Sequence, residues 1–304
     1  MSRRWILAAL MLLAVAMGDY GRCTGPVSAS PADNITDPPG ISGGKFEVTC
    51  LYSHSAQVDP IVAPGNPMSA HLHDFFGNTT VDQNSTPAGL VGGPTTCKLS
   101  KDSAAYWTPA AYRSDTGGRV LPVKSFLYYF GTDGPTETHF PLDLEMLAGN
   151  PSATGPSEAG VIAFSCGNGG ITNSPVRPAP YNCNTDPKVV NSQGVVAIVR
   201  FPFCWDTTGT GPGDVTYPDP ATGDCPVSTL AQVQIHEHFG AGPGDPRFQR
   251  GDLLTFASGP WWTYHGDFMN GWDQPKLDAL VDGCLNYPNL NCGFLTDADP
   301  GPGA

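Results

Sequence analysis

Two histidines separated by a single residue, His71 and His73, have a spacing that suits metal binding or acid/base chemistry. Because side chains alternate along an extended chain, such a pair points two imidazoles to the same side. A neutral imidazole is a common metal ligand and a proton carrier near neutral pH. We therefore expect both side chains to belong to a functional site. The alternative is that each one only forms hydrogen bonds with neighbouring loops.

His265 and Asp267 form a second candidate pair, again separated by one residue, near the end of the chain. A histidine beside a carboxylate is the combination from which metal ligands and oriented general bases are built. Tryptophan and tyrosine residues surround this pair, and their rings either stack on the apolar faces of sugars or pack in the core. The aromatic residues that we expect to bind sugar are Trp107, Trp262, Tyr264 and Trp272.

Asp102 and Tyr106 bring a carboxylate and a phenol into one short segment, where they can act as acid and base. The alternative is that Asp102 caps a turn and the aromatic residues beside it are buried. A further pair, His236 and His238, has the same spacing as the first histidine pair, but a polar, solvent-exposed strand face explains it more simply. Asp102 and Tyr106 are therefore catalytic candidates, and the later histidine pair is not.

Short runs rich in β-branched and aromatic residues recur between Gly and Pro residues, and these runs must position the candidate side chains. Short strands separated by turns predict a mainly β domain, a sandwich or jelly roll with long loops. One segment differs, because Asp273 can cap a helix with Pro275 in its first turn and apolar residues at helical spacing after it. We expect one short helix near the C-terminus. The predicted strands span 46–52, 120–130, 161–166, 194–203, 230–239 and 253–257.

The chain has 304 residues and a formal net charge of -13. This charge repels phosphate backbones, so it excludes nucleic acid as a partner. Residues 1–18 have the arginines, apolar stretch and small residues of a secretory signal peptide, and residues 19–44 have the composition of a flexible linker. We expect a single domain over 45–295 and a disordered tail at 296–304. No segment reaches the ~20 apolar residues that membrane insertion needs, so we expect no stable membrane insertion. We expect the protein to be secreted and to be a monomer.

Nine cysteines in a chain with a secretory leader imply disulfide bonds. With Cys23 set aside, eight remain, and four bridges are expected. The spacing gives no pairing, since eight cysteines allow about 105 connectivities. No Cys-x-x-Cys spacing occurs, which argues against zinc held by thiolates. The eight are Cys50, Cys97, Cys166, Cys183, Cys204, Cys225, Cys284 and Cys292.

A series of segments along the chain forms a specific pattern when taken in order. They are Val58–Gly65, Ser69–His73, Asp102–Pro109, Tyr128–Tyr129, Phe140–Pro141, Met146–Gly149, Phe201–Asp206 and His265–Asp273. In these segments the chain resembles a secreted family of fungi and bacteria classified as a domain of unknown function, numbered nineteen ninety-six, often joined in fungi to carbohydrate-binding WSC modules. The resemblance implies secretion, disulfides and association with cell walls or polysaccharide. The chain departs from the family at Gln57, where an Arg is usual, and lacks the His expected before Tyr217.

Together these features predict a secreted enzyme, a hydrolase or lyase, that cleaves extracellular or cell-wall polysaccharide in a cleft formed by His71, His73, His265 and Asp267. Either the three histidines hold a divalent metal that lowers the pKa of a bound water, or Asp102 and Tyr106 join a metal-free acid/base site. One competing hypothesis is a non-catalytic glycan-binding module with exposed aromatic side chains. Another is a disulfide-stapled surface protein without a small-molecule site. The enzyme hypothesis predicts that the three histidines converge.

Overall fold

Short strands account for most of the regular structure. The structure is a computed structural model that describes residues 43–68, 70–132, 136–156, 160–167, 174–189, 192–220, 222–240 and 247–303. The predicted leader at 1–18 and the linker residues 19–42 lie outside these ranges. The strands in the described ranges are β1 (Lys45–Ala56), β2 (His73–Gly77), β3 (Ala105–Pro109), β4 (Ala111–Arg113), β5 (Arg119–Val120), β6 (Pro122–Phe130), β7 (Glu145–Gly149), β8 (Ile162–Ser165), β9 (Val196–Arg200), β10 (Cys204–Trp205), β11 (Val215–Thr216), β12 (Ser228–Thr229), β13 (Gln232–Phe239), β14 (Leu254–Phe256), β15 (His265–Met269) and β16 (Asn291–Leu295).

Helices are few and short. They are α1 (Pro87–Leu90), α2 (Gln274–Leu280), the 3-10 turns Gly251–Leu253 and Trp261–Thr263, and a π-helical turn at Val281–Leu285. Among the described residues, none of these helices has the length and apolar character needed to cross a bilayer.

The long strand β1 belongs to both halves of a ten-stranded sheet. Its first part, Lys45–Leu51, pairs with β6, and its second part, Tyr52–Ala56, pairs with β2. The front half consists, in order, of β7, β15, β3, β2 and the second part of β1. The back half consists of the first part of β1, then β6, β13, β9 and β8, with β16 added parallel to β1. Two further sheets have three strands each, β11-β10-β12 and β14-β4-β5.

The front and back halves pack face to face around one apolar core. Gly266 in β15 marks a close approach, because a Cβ atom at this position would lie 2.5 Å from Cγ1 of Val199 in β9. The ring of Phe268 in the front half lies 6.4 Å from the ring of Phe201 at the end of β9. This packing of two sheet layers, together with the long loops and the short C-terminal helix, confirms the predicted mainly β sandwich.

The opposite, outer face of the front half is covered by the loop 57–72, which joins β1 to β2. Because side chains alternate along a strand, this face receives Phe75 from β2, Trp107 from β3 and Met269 from β15. Val58 and Ile61 of the loop pack on them in a second, smaller apolar cluster. These outward-pointing side chains therefore lie beneath the loop.

Four disulfides link the eight cysteines, as the composition predicts. The pairs are Cys50–Cys97, Cys166–Cys183, Cys204–Cys225 and Cys284–Cys292. Each bridge closes a loop of the unfolded chain and so reduces its conformational entropy.

The predicted C-terminal helix is confirmed as α2. The Asp273 side chain accepts a hydrogen bond from the backbone N–H of Lys276, and Pro275 occupies the first turn. Lys276 Nζ donates to the carbonyl oxygens of Gly301 and Pro302. Within the predicted tail, Gly301 and Pro302 therefore lie against this helix.

Candidate functional site

Three histidines from separate parts of the chain meet at the outer face of the front half. Nε2 of His265 lies 3.2 Å from Nε2 of His71 and 3.4 Å from Nε2 of His73. His73 and His265 are buried, and His71 is partly exposed. Together they form a group whose ligand atoms all lie within 4.8 Å of one another. We call this group the histidine triad.

The order of the strands explains how the triad forms. His73 begins β2 and His265 begins β15, with β3 between them, so their backbones are about 9–10 Å apart. Pro109 in β3 lies opposite His73, and the register between β3 and β15, continued by two residues, places it opposite His265 as well. The two imidazoles approach each other across this compact residue. His71 precedes β2 and reaches the same point from the covering loop.

Backbone carbonyl groups orient two of the three imidazoles. Nδ1 of His73 lies 3.0 Å from the carbonyl oxygen of Val58, and Nδ1 of His265 lies 2.9 Å from that of Thr263. A carbonyl oxygen only accepts, so both Nδ1 atoms carry the proton in these hydrogen bonds. In the neutral rings each Nε2 then presents a lone pair, and the two lone pairs face one another. Such an arrangement is stable when a cation lies between them.

Burial keeps the triad in the form that binds metals. Burial lowers the pKa of His265 to about 4 and that of His73 well below its ordinary value, and it also lowers the pKa of His71. The neighbouring imidazoles lower the pKa of His73 further. The three rings are therefore neutral at pH 7, which is the state that a metal requires.

The separations within the triad fit a tetrahedral metal ion. Nitrogen ligands about 2.0–2.1 Å from a tetrahedral Zn²⁺ lie about 3.3–3.4 Å from one another. The two Nε2 separations, 3.2 and 3.4 Å, match this value. Three protein ligands leave a fourth position for water or substrate, which is the pattern of catalytic zinc sites.

Two carboxyl groups lie beside the triad. Asp267 follows His265 by two residues, so its side chain points to the same face of β15. It is 1% exposed, and its Oδ2 atom has no hydrogen-bond partner among the described residues. Asp59 belongs to the covering loop, and its Oδ1 accepts hydrogen bonds from the backbone N–H groups of Ile61 and Val62 at 3.1 and 2.9 Å. Burial raises the pKa of both carboxyl groups, and the charge of Asp59 raises that of Asp267 further.

A cleft of about 330 Å³ opens onto these groups. Its polar walls come from His71 and His265 of the triad and from the two carboxyl groups, and its remaining walls are small or apolar. The described lining residues are Asp59, Val62, Ala63, Ala70, His71, Leu147, Ala148, Gly149, Pro151, Ser152, His265, Gly266 and Asp267. The arrangement combines three histidines that could hold a metal ion, two carboxyl groups and access for a ligand.

Asp102 and Tyr106, two of the candidates from the sequence, do not join this cleft. The Tyr106 hydroxyl donates to Asp102 Oδ2 at 3.0 Å and also contacts the Tyr129 hydroxyl at 2.7 Å. This network is fully buried, and burial raises the pKa of Asp102 to about 8. Tyr106 faces the core because it alternates with Trp107 along β3. Asp102 also lies near Cys50 and Cys97, but their disulfide leaves no thiolate to bind a metal.

The aromatic residues expected to bind sugar are mostly inside the protein. Trp107, Tyr264 and Trp272 are each 0% exposed. The Tyr264 hydroxyl donates to Glu237 Oε2 at 3.0 Å, and Trp272 Nε1 donates to the Tyr129 hydroxyl at 2.9 Å. These three pack in the core and present no face to a ligand. Trp262 is partly exposed but does not line the cleft.

The later histidine pair lies on a buried strand face, and the expectation of an exposed face is corrected. His236 is 1% exposed, and its Nε2 lies 3.0 Å from Gln234 Oε1. Gln234 in turn donates to Gln232 at 2.8 Å. Gln232, Gln234 and His236 therefore form a hydrogen-bonded row along this face of β13.

Asp59 is the residue at the cleft that the chemistry of the sequence did not single out. It is an aspartate followed by proline in a loop, and nothing in its neighbours suggests acid/base work or metal binding. Its only signal is its place in the segment Val58–Gly65, which carries part of the family resemblance.

These observations define the class of the protein as a disulfide-linked β sandwich with a three-histidine site on the outer face of one sheet. The chain matches the family described as Domain of unknown function (DUF1996) over residues 59–272, and it belongs to that family. The matched range contains the whole triad and both carboxyl groups of the cleft. No curated protein and no solved structure gives a significant match to the chain.

Proposed function

We propose that the protein is a secreted, metal-dependent enzyme that cleaves an extracellular or cell-wall glycan by hydrolysis. His71, His73 and His265 would hold the metal. The observation that carries the proposal is the convergence of three Nε2 atoms, two of them presented as lone pairs by hydrogen bonds to backbone carbonyls. No hydrogen-bonding pattern of neutral imidazoles satisfies all these nitrogens together, whereas one cation does.

Zinc is the metal that the donor set favours. Imidazole nitrogen suits zinc, copper, iron and nickel, and the Nε2 separations fit a tetrahedral ion. A zinc ion with an open fourth position lowers the pKa of a bound water to about 7 and so supplies a nucleophile at neutral pH.

The chain's own carboxyl group would move the proton. Asp267 lines the cleft, and its Oδ2 is free to bind a ligand atom. In hydrolysis, the water oxygen bonds to the sugar carbon, the glycosidic C–O bond breaks, and a proton moves from the water to the leaving oxygen. Asp267 is placed to carry that proton, which is ordinary general acid/base work for a carboxyl group.

The setting of the site supports an extracellular enzyme rather than a glycan-binding module. Four disulfides fit an oxidising compartment, and the predicted leader agrees with secretion. A binding module would need exposed aromatic faces, but Trp107, Tyr264 and Trp272 are buried. A ligand therefore meets the cleft and its ionisable groups rather than an aromatic surface.

Metal content and glycan cleavage test the proposal together. The wild-type protein, His73→Ala and the surface control His139→Ala are purified without a histidine tag, and their metal content is measured by elemental analysis. We expect about one divalent ion per chain in wild type and in the control, and less than a tenth of that in His73→Ala. Release of reducing ends from cell-wall polysaccharides is then measured with and without a chelator.

Two results would contradict the proposal. One is full metal content in His73→Ala, because this would place the ion elsewhere. The other is glycan cleavage that persists when the chelator has removed the metal from the wild-type protein. His139 is a suitable control because it is exposed and, among the residues that the structure describes, pairs with Asp278 and Asp282 rather than with the triad.

A further inference from the structure

The charges around the cleft point to the kind of glycan it accepts. Asp59 and Asp267 line the cleft, and no Lys or Arg occurs among its described lining residues. The nearby Asp74 gives a contrast, because it lies one residue from His73 on the opposite face of β2. There Arg119 forms an ion pair with Asp74 at 2.7 Å. The core side of the front half thus has a balancing cation, and the cleft side has only the histidine triad.

A third carboxyl group extends the acidic side of the cleft. Glu145 begins β7 and lies opposite Met269 of β15, on the face that carries Asp267. Burial raises the pKa of Glu145, and the charges of Asp143 and Asp59 raise it further, so Glu145 lies within electrostatic range of Asp59 although it does not itself line the cleft. We call Asp59, Glu145 and Asp267 the acidic wall.

The acidic wall has oxygen atoms left over for a ligand. Asp59 Oδ1 already accepts from two backbone N–H groups, which leaves Oδ2 for the cleft. Asp267 Oδ2 is buried and has no partner among the described residues. A buried polar atom without a partner is costly, so such an oxygen in a cleft indicates a donor that arrives with the ligand.

An ammonium group satisfies this wall, and an anion does not. A protonated amine donates charge-assisted hydrogen bonds to carboxylates. A uronate, sulfate or phosphate group that faces the acidic wall rather than the triad would meet two or three carboxyl groups without an arginine or lysine to pair with it, and like charges brought together repel each other. The cleft volume of about 330 Å³ is at the small end of ligand pockets, so the recognised group is one or two sugar rings.

We propose that the acidic wall binds a protonated amine beside the bond that is cleaved, so that the substrate is an amino-sugar glycan with free amino groups. This inference rests on the proposed function for the cleavage step, but the binding preference is independent of it. N-acetylated and uronic acid polymers lack the cation that the wall recognises.

The experiment measures binding and cleavage separately on zinc-loaded protein. Short oligomers of glucosamine, N-acetylglucosamine and galacturonic acid are compared by calorimetry and by release of reducing ends. We expect the glucosamine oligomer to bind about tenfold more tightly than the acetylated one, and the galacturonic acid oligomer to bind most weakly. Raised salt should weaken binding of the glucosamine oligomer alone.

Two variants and a control assign the preference to the wall. Asp59→Asn keeps an oxygen that accepts from Ile61 and Val62, so the loop is retained while the charge is lost. Glu145 is partly exposed, so Glu145→Gln provides a second test if Asp59→Asn folds poorly. Each should weaken binding of the glucosamine oligomer about tenfold and change the acetylated oligomer by less than about twofold. Asp115→Asn, an exposed aspartate away from the cleft, should leave both unchanged.

The outcomes separate this inference from the proposed function. The amine preference is overturned if the galacturonic acid oligomer binds most tightly. It is also overturned if Asp59→Asn and Glu145→Gln weaken binding of the glucosamine and N-acetylglucosamine oligomers equally, even if cleavage occurs. Tight binding of an oligolysine in place of the glycan overturns the choice of polymer. If the glucosamine oligomer binds as expected but no oligomer is cleaved, the binding inference is supported and the hydrolytic function is overturned.

Discussion

The two halves of the large sheet each carry a pair of histidines separated by one residue, and only one pair forms a site. In the front half, His71 and His73 converge with His265. In the back half, His236 lies 3.0 Å from Gln234, and its ring packs 4.4 Å from that of Tyr128. Both pairs have partners, but the partners differ in kind.

The difference lies in what the imidazole nitrogens face. Backbone carbonyls from the covering loop and from the 3-10 turn hold the Nδ1 protons of the front histidines, which turns their Nε2 lone pairs toward one another. In the back half, Nε2 of His236 instead lies against the side-chain amide of Gln234, which in turn donates to Gln232. The spacing in the sequence brings two histidines to one side of the chain. The loops that pack on the strand then decide whether the two imidazoles can bind a metal.

The largest expected effect separates the two halves by metal affinity. His265→Ala removes a ligand, so we expect Zn²⁺ affinity to fall by more than the roughly 100-fold that loss of an outer hydrogen-bond partner costs. His236→Ala, the matched change in the back half, should leave the affinity within about twofold. Competition with a chromogenic chelator measures both. Equal losses in the two variants would remove the distinction between the halves.

The next effect concerns turnover with the metal retained. Asp267→Asn keeps the size of the side chain but cannot carry a proton, so we expect kcat to fall about 100-fold, the lower end for general acid/base groups. Metal content should stay at about one per chain. Asp143→Asn, an exposed neighbour of the acidic wall, serves as the control and should retain turnover. Unchanged kcat in Asp267→Asn would assign the proton transfer to another group.

A smaller effect tests how the back half supports the front half. Glu237 in β13 accepts hydrogen bonds from Thr108 and Tyr264 of the front half, both at 3.0 Å. Because Tyr264 immediately precedes His265, Glu237→Leu should weaken metal binding about tenfold, while Glu237→Gln, which still accepts both bonds, should not.

The control for this test lies on the other face of the same strand. Gln234→Leu removes a buried polar side chain from β13 without touching the front half. If Gln234→Leu weakens metal binding as much as Glu237→Leu, the effect is a general loss of packing and the link through Tyr264 is absent.

A separate effect, on stability rather than on the site, is a pH dependence that comes from the carboxyl group of Asp102. Burial raises its pKa to about 8 in the folded protein, against about 3.9 in the unfolded chain. The folded state thus keeps a proton that the unfolded state releases, and the resulting stability is lost as the pH rises from about 4 to about 8, by about 1.4 kcal/mol per pH unit.

Asp102→Asn removes this titration and provides the measurement. The free energy of unfolding of Asp102→Asn, relative to wild type, should rise between pH 5 and 7 in urea titrations with the disulfides intact. A difference for Asp102→Asn that is flat with pH would mean that this carboxyl group is ionised in the fold.

The sequence predicted the back half better than the front half. The predicted strands at 120–130, 194–203 and 230–239 correspond to β6, β9 and β13, because these strands are long runs of apolar and β-branched residues. The site strands β2, β3, β7 and β15 have five residues each and include polar residues, proline or glycine. Their pattern is too short and mixed to predict from periodicity.

The same limit applies to the candidate residues. The types of His71, His73, His265 and Asp267 indicate chemistry, so the sequence selects them. Asp102 and Tyr106 are residue types that are equally able to act as acid and base, but they face the core. The direction of Tyr106 follows from the alternation of side chains along β3, which residue type does not reveal. Trp107 and Trp272 are buried for the same kind of reason, since residue type alone does not tell which face of a strand is covered. Asp59 depends on a loop that folds over a sheet whose strand order the sequence does not give.

The glycine between His265 and Asp267 has a consequence for how this family can vary. Gly266 touches Val199 of the opposite layer so closely that no larger residue fits. A methyl group there would push β15 outward and carry both flanking side chains with it. Substitutions in the hydrophobic interior at Val199 or Ile235 would therefore shift His265 and Asp267 from a distance, and a screen for altered metal binding would find them without changing any residue that lines the cleft.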